Sequence, residues 1–389
     1  MSNTTDKALL PAGMQDGLPP EAAREAGAAT RLVSHFDAWG YGLVKPPLME
    51  FEENLLYGPG LAMAKQTFRV QDPVSQRMLA LRPDMTLQVA RIAHSRLSQS
   101  PRPLRLAYSG QVVRVKGSQL RPERQIGQVG AELIGATGPA ADVEVILMAV
   151  EALESAGVEG LSVDLGLPTL GPAVIDGIDL DDKTRRVLKT ALERKDAAGV
   201  LALGDSLGDA ASAALQAMLD AVGPAKASME TLSKLTLSPD AAQQCAHLGE
   251  VVDGLLAARP ELNLTLAPVE RRGFEYHTGV TFALFARAVM GELGRGGRYE
   301  AGANDKGEAA TGLTLFMDTV MQALPKAQQT PSVFLPFATT PAEAKKLRTD
   351  GWRTVQALEK TSDARAEARR LGCAHVLENG NVVALDDNA

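Results

Sequence analysis

The sequence predicts an α+β fold: an antiparallel sheet flanked by helices, with a helical insertion at about residues 170–260 inside a core unit over 1–325, followed by a small α/β module over 331–389. Three observations predict it. Strand-like segments come in pairs, as in "LRLAYSGQVVRV" (104–115) and "RQIGQVGAELIG" (124–135), joined by a basic loop and not by a crossover helix. No G-x-G-x-x-G or P-loop pattern stands between a strand and a helix, which argues against a doubly wound sheet. Residues 170–260 are rich in Ala and Leu and poor in β-branched runs, as a set of short helices would be.

The elements follow in order. Pro19 and Pro20 suit the first turn of a helix in which Leu32, Val33, Phe36 and Trp39 recur at helical spacing, and Gly40 and Gly42 stop it. "LVKPPLMEF" (43–51) is extended, because residues before proline are pushed out of the helical region. "TFRV" and "RMLAL" read as a hairpin about Asp72-Pro73, and "TLQVARIAHSRL" (86–97) as a helix. "DVEVILMAVEALESAG" is a helix with Asp142 as its N-cap and Gly157 as its stop; "LSVDLGL" is a strand. Within the insertion, "DDKTRRVLKTALERKD" is the best-formed helix. Strands return in "NLTLAPVE", "GFEYHTGVTFALFA" and "TGLTLFMD", with "GELGRGGRYEAGAND" (291–305) as a glycine-rich connection. Beyond the linker "LPKAQQTPS" the tail alternates strand "VFLPF", helix "PAEAKKLRTDG", strand "TVQAL", helix "DARAEARRLG", and strands "HVLEN" and "VVAL".

Composition excludes several functions. A net charge of −7 offers phosphate no whole-molecule attraction, so a general nucleic-acid binder is not expected. Aromatic residues make up only 4%, too few for base-stacking platforms. Cys245 and Cys373 stand in no metal-ligand spacing and fit reduced thiols of a cytoplasmic protein; neither a metal nor a cofactor is expected. The opening residues lack the apolar core of a signal peptide, and no run approaches a membrane span.

Five segments together carry a resemblance. "LPAGMQDGLPPEA", "LRPDMTLQVARI", "YSGQVVRV…RPERQIGQVGAELIG", "RRGFEYHTGVTF" and "GRGGRYE" resemble, in family order, the class II aminoacyl-tRNA synthetase core of the histidyl-tRNA synthetases. That likeness implies a class II synthetase-like sheet and a pocket for histidine. An amino acid needs a carboxylate for its ammonium, a cation for its carboxylate and a polar clamp for its side chain. Asp84 is placed to take the ammonium, or to cap the helix from Thr86, or both. Gln128 and Glu132, four apart on a strand, face one side. Buried Glu132 needs a partner, and either a ligand imidazole or a salt bridge to Arg114 or Arg272 would serve. Arg272 suits a ligand carboxylate held bidentately. Tyr276 and His277 stand where the synthetases have two tyrosines, so His277 departs from the pattern. The glycines of "GRGGRYE" suit a tight turn and close packing between strands.

The stretch "ATGLTLFMDTVMQAL" (310–324) falls where the synthetases carry their third motif. Asp318 and Thr319 replace its Glu-Arg pair, and Phe316 replaces the glycine that leaves room for adenine. Loss of a phosphate-binding arginine removes about 3 kcal/mol or more of transition-state stabilisation. The short tail and its acidic end argue against a tRNA-binding face. This pattern resembles the regulatory subunits of ATP phosphoribosyltransferase, paralogues of the synthetases. The resemblance implies a non-catalytic, cytoplasmic protein, dimeric through the first helix and "LVKPPLMEF", in a hetero-octamer with the short-form catalytic subunit. It also implies a requirement for the first step of histidine biosynthesis and feedback by histidine. An active histidyl-tRNA synthetase and a free histidine-binding module are the alternatives.

Overall fold

The computed structural model describes residues 9–56, 58–118, 121–176, 178–270, 277–287, 289–302, 307–326 and 331–385. The chain divides into two compact units, 1–325 and 326–389.

In the first unit, α1 (Glu21–Ala38) buries Ala28, Leu32 and Phe36 along one stripe. It ends at Gly40, whose φ of +84° costs a glycine nothing sterically. β1 (Gly42–Val44) and β2 (Met49–Phe51) lie on either side of Pro46 and Pro47, and α2 (Glu52–Leu55) follows. The hairpin of β3 (Arg69–Gln71) and β4 (Met78–Leu81) turns where expected, with Asp72 accepting the N–H groups of Val74 and Ser75 at 3.1 Å each. Then come α3 (Thr86–Ser95), β5 (Leu104–Val113), β6 (Gln125–Ile134), α4 (Pro139–Ala156) and β7 (Leu161–Gly166). The region expected to be helical holds α5 (Leu170–Asp176), α6 (Asp182–Glu193), α7 (Ala197–Leu201), α8 (Gly204–Leu207), α9 (Asp209–Asp220), a two-residue β8 (Gly223–Pro224), α10 (Ala225–Leu232) and α11 (Pro239–Ala258). β9 (Asn263–Leu266), β10 (His277–Ala286), β11 (Gly294–Ala301), β12 (Glu308–Phe316) and α12 (Met317–Ala323) complete the unit.

Nine strands form one sheet in the order β1-β5-β6-β12-β11-β10-β7-β9-β8. The run from β5 to β7 is antiparallel, as expected. The sheet is nevertheless mixed, because β1 pairs with β5 and β7 with β9 in parallel. Both parallel pairs are bridged by long stretches containing helices, the connection that parallel neighbours require. α1, α4, the sheet face and the helices between β7 and β9 share one apolar core.

Two expectations need correction. Residues 294–301 are not a connection but a central strand. Glycine-rich sequence reads as a turn, yet here the missing side chains let strands approach: a Cβ at Gly296 would sit 2.1 Å from the Gly312 carbonyl oxygen. Nor is Asp142 an N-cap. α4 starts three residues earlier with Pro139 at its first position, and Asp142 is buried in its first turn. There it accepts hydrogen bonds from Arg298 Nη2 (2.7 Å) and Thr311 Oγ1 (2.6 Å), and meets His247 Nε2 at 2.7 Å. The expected stop at Gly157 holds, with φ +101°.

The second unit is a four-stranded sheet, β14-β13-β15-β16, built from β13 (Ser332–Leu335), β14 (Arg353–Gln356), β15 (His375–Glu378) and β16 (Asn381–Ala384). α13 (Pro341–Thr349) starts with a capping box between Thr340 and Glu343, and α14 (Ala364–Arg370) is capped by Asp363. Every strand and helix expected of the tail is present.

Candidate functional site

The site grows from the pairing of β6 with its neighbours. Glu132 is directly opposite Gly312 on β12, and a Cβ at 312 would lie 1.8 Å from Glu132 Oε2. Only glycine leaves space for the carboxylate. Two residues earlier on β6, Gly130 lies between Tyr108 on β5 and Thr314 on β12, and a Cβ there would fall 2.3 Å from the Tyr108 hydroxyl. Glycines on the middle strands thus carve a polar hollow into an otherwise apolar sheet.

Asp84, Thr86, Glu132, His277, Arg295, Tyr299, Gly312, Thr314 and Phe316 line that hollow. Glu132 is 1% exposed. Tyr299 donates to its Oε2 at 2.9 Å, while its Oε1 has no hydrogen-bond partner. Burial pushes the Glu132 carboxyl up to about 8; the hydroxyls of Thr86, Tyr299 and Tyr108 oppose the rise and the Asp84 charge adds to it. The Tyr108 hydroxyl meets Thr314 Oγ1 at 2.7 Å and Thr86 Oγ1 at 3.3 Å, and donates to the Leu313 carbonyl at 3.2 Å. Asp84 does two jobs. Its Oδ1 accepts the Thr86 N–H at 2.9 Å, satisfying the first turn of α3, and its Oδ2 accepts from Gln128 Nε2 at 2.9 Å. Gln128 Oε1 in turn accepts the Met85 N–H at 3.2 Å.

The structure therefore brings Asp84, Thr86, Glu132 and His277 to one hollow, with Gln128 bracing Asp84 from behind. Arg114 does not line it and makes no salt bridge with Glu132, which corrects one of the expected pairings. Its Nε donates to the Pro83 carbonyl at 3.2 Å, and it lines an adjoining cleft of about 570 Å³ with Lys116, Arg121, Glu292 and Thr319. Burial lowers the Arg114 pKa, against the pull of Asp84. Arg272 and Tyr276 lie outside the described residues. Tyr108, Tyr299, Thr314 and Gly312 are site residues that sequence reasoning missed. Gly312 and Thr314 alternate on one strand face, a period-two signal that was available; Tyr299 was hidden by reading its strand as a connection.

Arg121, Arg295 and Thr319, which line the cleft, are engaged by the protein's own groups. The Arg121 guanidinium carbon lies 4.1 Å from the centroid of the Phe316 ring, and that of Arg295 lies 5.4 Å from it. Arg121 Nε pairs with Asp318 Oδ2 at 2.7 Å. Thr319 Oγ1 donates to the Glu292 carbonyl at 2.8 Å. Phe316, Asp318 and Thr319 are all turned toward intramolecular partners. Among the described residues no His/Cys/Asp/Glu group could hold a metal ion, and no helix is long and apolar enough to cross a membrane.

Known proteins similar to this chain are numerous. A family model described as histidyl-tRNA synthetase matches residues 13–320. An ATP phosphoribosyltransferase regulatory subunit from Rhodospirillum centenum is 52% identical over 98% of this chain and 97% of its own length. That of Paramagnetospirillum magneticum is 50% identical over 99% of this chain and 100% of its own. Among solved structures, an ATP phosphoribosyltransferase regulatory subunit/histidyl-tRNA synthetase from Bacillus halodurans C is 25% identical, with a TM-score of 0.80 over 93% of this chain and 96% of that one. A histidyl-tRNA synthetase from Nostoc sp. PCC 7120, at 16% identity and a TM-score of 0.76 over 95% of this chain and 91% of that one, shares the fold.

Proposed function

The chain belongs to the family of ATP phosphoribosyltransferase regulatory subunits, built on a histidyl-tRNA synthetase-like domain, and we propose that it regulates through a retained amino-acid pocket whose neighbouring nucleotide site has been closed. Its role is that of a regulatory subunit of this enzyme of histidine biosynthesis. The partner is the short-form catalytic subunit, the setting the cytoplasm, and the assembly a hetero-octamer containing dimers of this chain. Histidine is the feedback ligand. The imidazole goes to Glu132, the ammonium to Asp84 and the carboxylate to Arg272, with Thr86, Gln128, Tyr276 and His277 as supporting contacts and Arg114 facing the cleft beside them.

One observation carries this reading: Arg121, which lines the cleft, is held against the Phe316 ring and paired with Asp318, while a carboxylate with an unpartnered oxygen stands in the hollow alongside. A ring where adenine would need space, and an arginine neutralised by an internal aspartate, leave ATP without its seat. The chain is accordingly not an enzyme: it neither activates histidine nor charges tRNA. The hollow holds only about 30 Å³, room for a water, so histidine enters by opening its lining.

The test mixes the chain with the catalytic subunit. The expected results are co-elution, activity dependent on this chain, suppression by histidine, and no histidine-dependent ATP–pyrophosphate exchange by the chain alone. Failure to co-elute, or exchange above a blank, would overturn the reading.

A further inference from the structure

Among the described residues, the buried carboxyl of Glu132 in the hollow makes no ion pair. Glu132 is 1% exposed, and the described groups that hydrogen-bond to it or act on its charge most strongly are hydroxyls and the Asp84 carboxylate. α3 and the turn before it present Thr86 and Asp84; β5 presents Tyr108; β11 presents Tyr299, with Arg295 farther along the hollow; β12 presents Gly312 and Thr314; β10 presents His277 at the rim. Tyr41, whose hydroxyl donates to Glu144 at 2.9 Å, lies within electrostatic range. Oε2 accepts from Tyr299 at 2.9 Å and Oε1 has no partner at hydrogen-bond distance; the nearby hydroxyls of Thr86 and Tyr108 favour the charged form, and burial outweighs them. A bare carboxylate in that position would be heavily penalised, so the empty pocket favours the neutral acid.

We propose that Glu132 carries a proton while the pocket is empty and passes it to the imidazole of incoming histidine, so that at neutral pH the site takes up an uncharged imidazole and holds it as imidazolium against carboxylate. The O–H bond of Glu132 breaks, an N–H bond forms on the ring, and no proton is exchanged with solvent. The buried carboxyl that was costly to ionise alone then ionises beside a cation made in place. This rests on the reading that histidine occupies this pocket. It adds a chemical criterion for the ligand: a ring nitrogen basic enough to take the proton, which an amide of similar shape lacks.

Two proton affinities frame the consequence. Free histidine's imidazole titrates at about 6.5. Burial pushes the Glu132 carboxyl up to about 8. Between these values the separated partners hold one proton between them, and so does the complex, so affinity is level. Above about pH 8 the pair must gain a proton on binding, and affinity falls by about tenfold per pH unit. An ordinary carboxylate at Glu132 would instead make affinity fall from about pH 6.5 upward.

The experiment is calorimetric titration of histidine into the complex with the catalytic subunit, at pH 6.8, 7.6 and 8.8, in paired buffers of different ionisation heat. The same titrations with Glu132→Gln serve as reference, since the amino group of the ligand titrates identically in both. The expected result for the wild type relative to that reference is equal affinity at the two lower values, no proton exchange, and uptake of a proton at the highest. A fall of about sixfold between pH 6.8 and 7.6 with proton uptake would overturn the proposal while leaving histidine in the pocket. Binding that Glu132→Gln leaves unchanged at every pH would remove histidine from the pocket altogether. An infrared difference spectrum of the wild type on adding histidine supplies a readout without any variant: loss of a buried protonated-carboxyl band supports the transfer, and an unchanged band contradicts it.

Discussion

The two ends of the β6–β12 pairing differ sharply. Glu132 faces Gly312; four residues back along the strand, Gln128 faces Phe316. That is about 13 Å at the usual rise of a strand. At the first position a glycine leaves a carboxylate room and an unused oxygen. At the second a fully buried ring stands under the Arg121 guanidinium, which pairs with Asp318. One end is polar, tight and unsatisfied. The other is packed and internally paired. An unsatisfied buried group is tolerated where a ligand completes it, whereas a self-completed cluster needs no ligand. On the proposed function, the same strands hold a binding site at one end and a disabled nucleotide site at the other.

The contrast can be broken in several ways. The largest effect is expected from Glu132→Gln on stability. The native carboxyl titrates well above the ordinary carboxylate range. Native chains therefore bind the proton more tightly than unfolded ones. The stability linked to that proton is complete below about pH 4.5 and is lost as pH rises to about 8, amounting to several kcal/mol at most. The glutamine variant has no such loss, so in denaturant titrations its advantage over wild type should grow between those limits and then level. Parallel curves would mean that Glu132 is not penalised by burial. Next comes Gly312→Ala. Its methyl group would collide with the Glu132 carboxylate, and overpacking of this kind costs about 1–3 kcal/mol. Both a lower melting temperature and a loss of response to histidine should follow; an unaltered response would show that the carboxylate can leave its place freely. The smallest effect belongs to Arg121→Ala. It strands a largely buried Asp318, at about 1–3 kcal/mol, while histidine binding is untouched.

Much of this was legible in the sequence. Strand pairs, the hairpin at Asp72, the α4 stop at Gly157 and the whole tail follow from patterning and turn chemistry, which act over a few residues. The candidate site was legible only where a residue type itself demanded a partner, as at Asp84, Gln128 and Glu132. Residues that shape space were not. Gly312 and Gly130 matter through what they lack, and that depends on register across strands distant in sequence. The strand 294–301 was lost for the same reason, because glycines chosen for close approach look like glycines chosen for a turn. Arg121 was visible as one more basic loop residue, but its place over Phe316 unites segments nearly two hundred positions apart. Asp142 looked like a cap because it precedes an apolar run; its partners Arg298, Thr311 and His247 come from three other elements.

The most direct test of the contrast between the two ends is the histidine inhibition constant of the assembled enzyme carrying wild type, Glu132→Ala or Arg121→Ala chains, measured under one salt condition on complexes that assemble equally. A charged hydrogen bond in a desolvated pocket is worth about 1.5–3 kcal/mol, so Glu132→Ala should weaken inhibition about tenfold or more. Arg121→Ala should leave it where it was. Equal inhibition in all three, or a loss confined to Arg121→Ala, would contradict the assignment of a live amino-acid end and a closed nucleotide end.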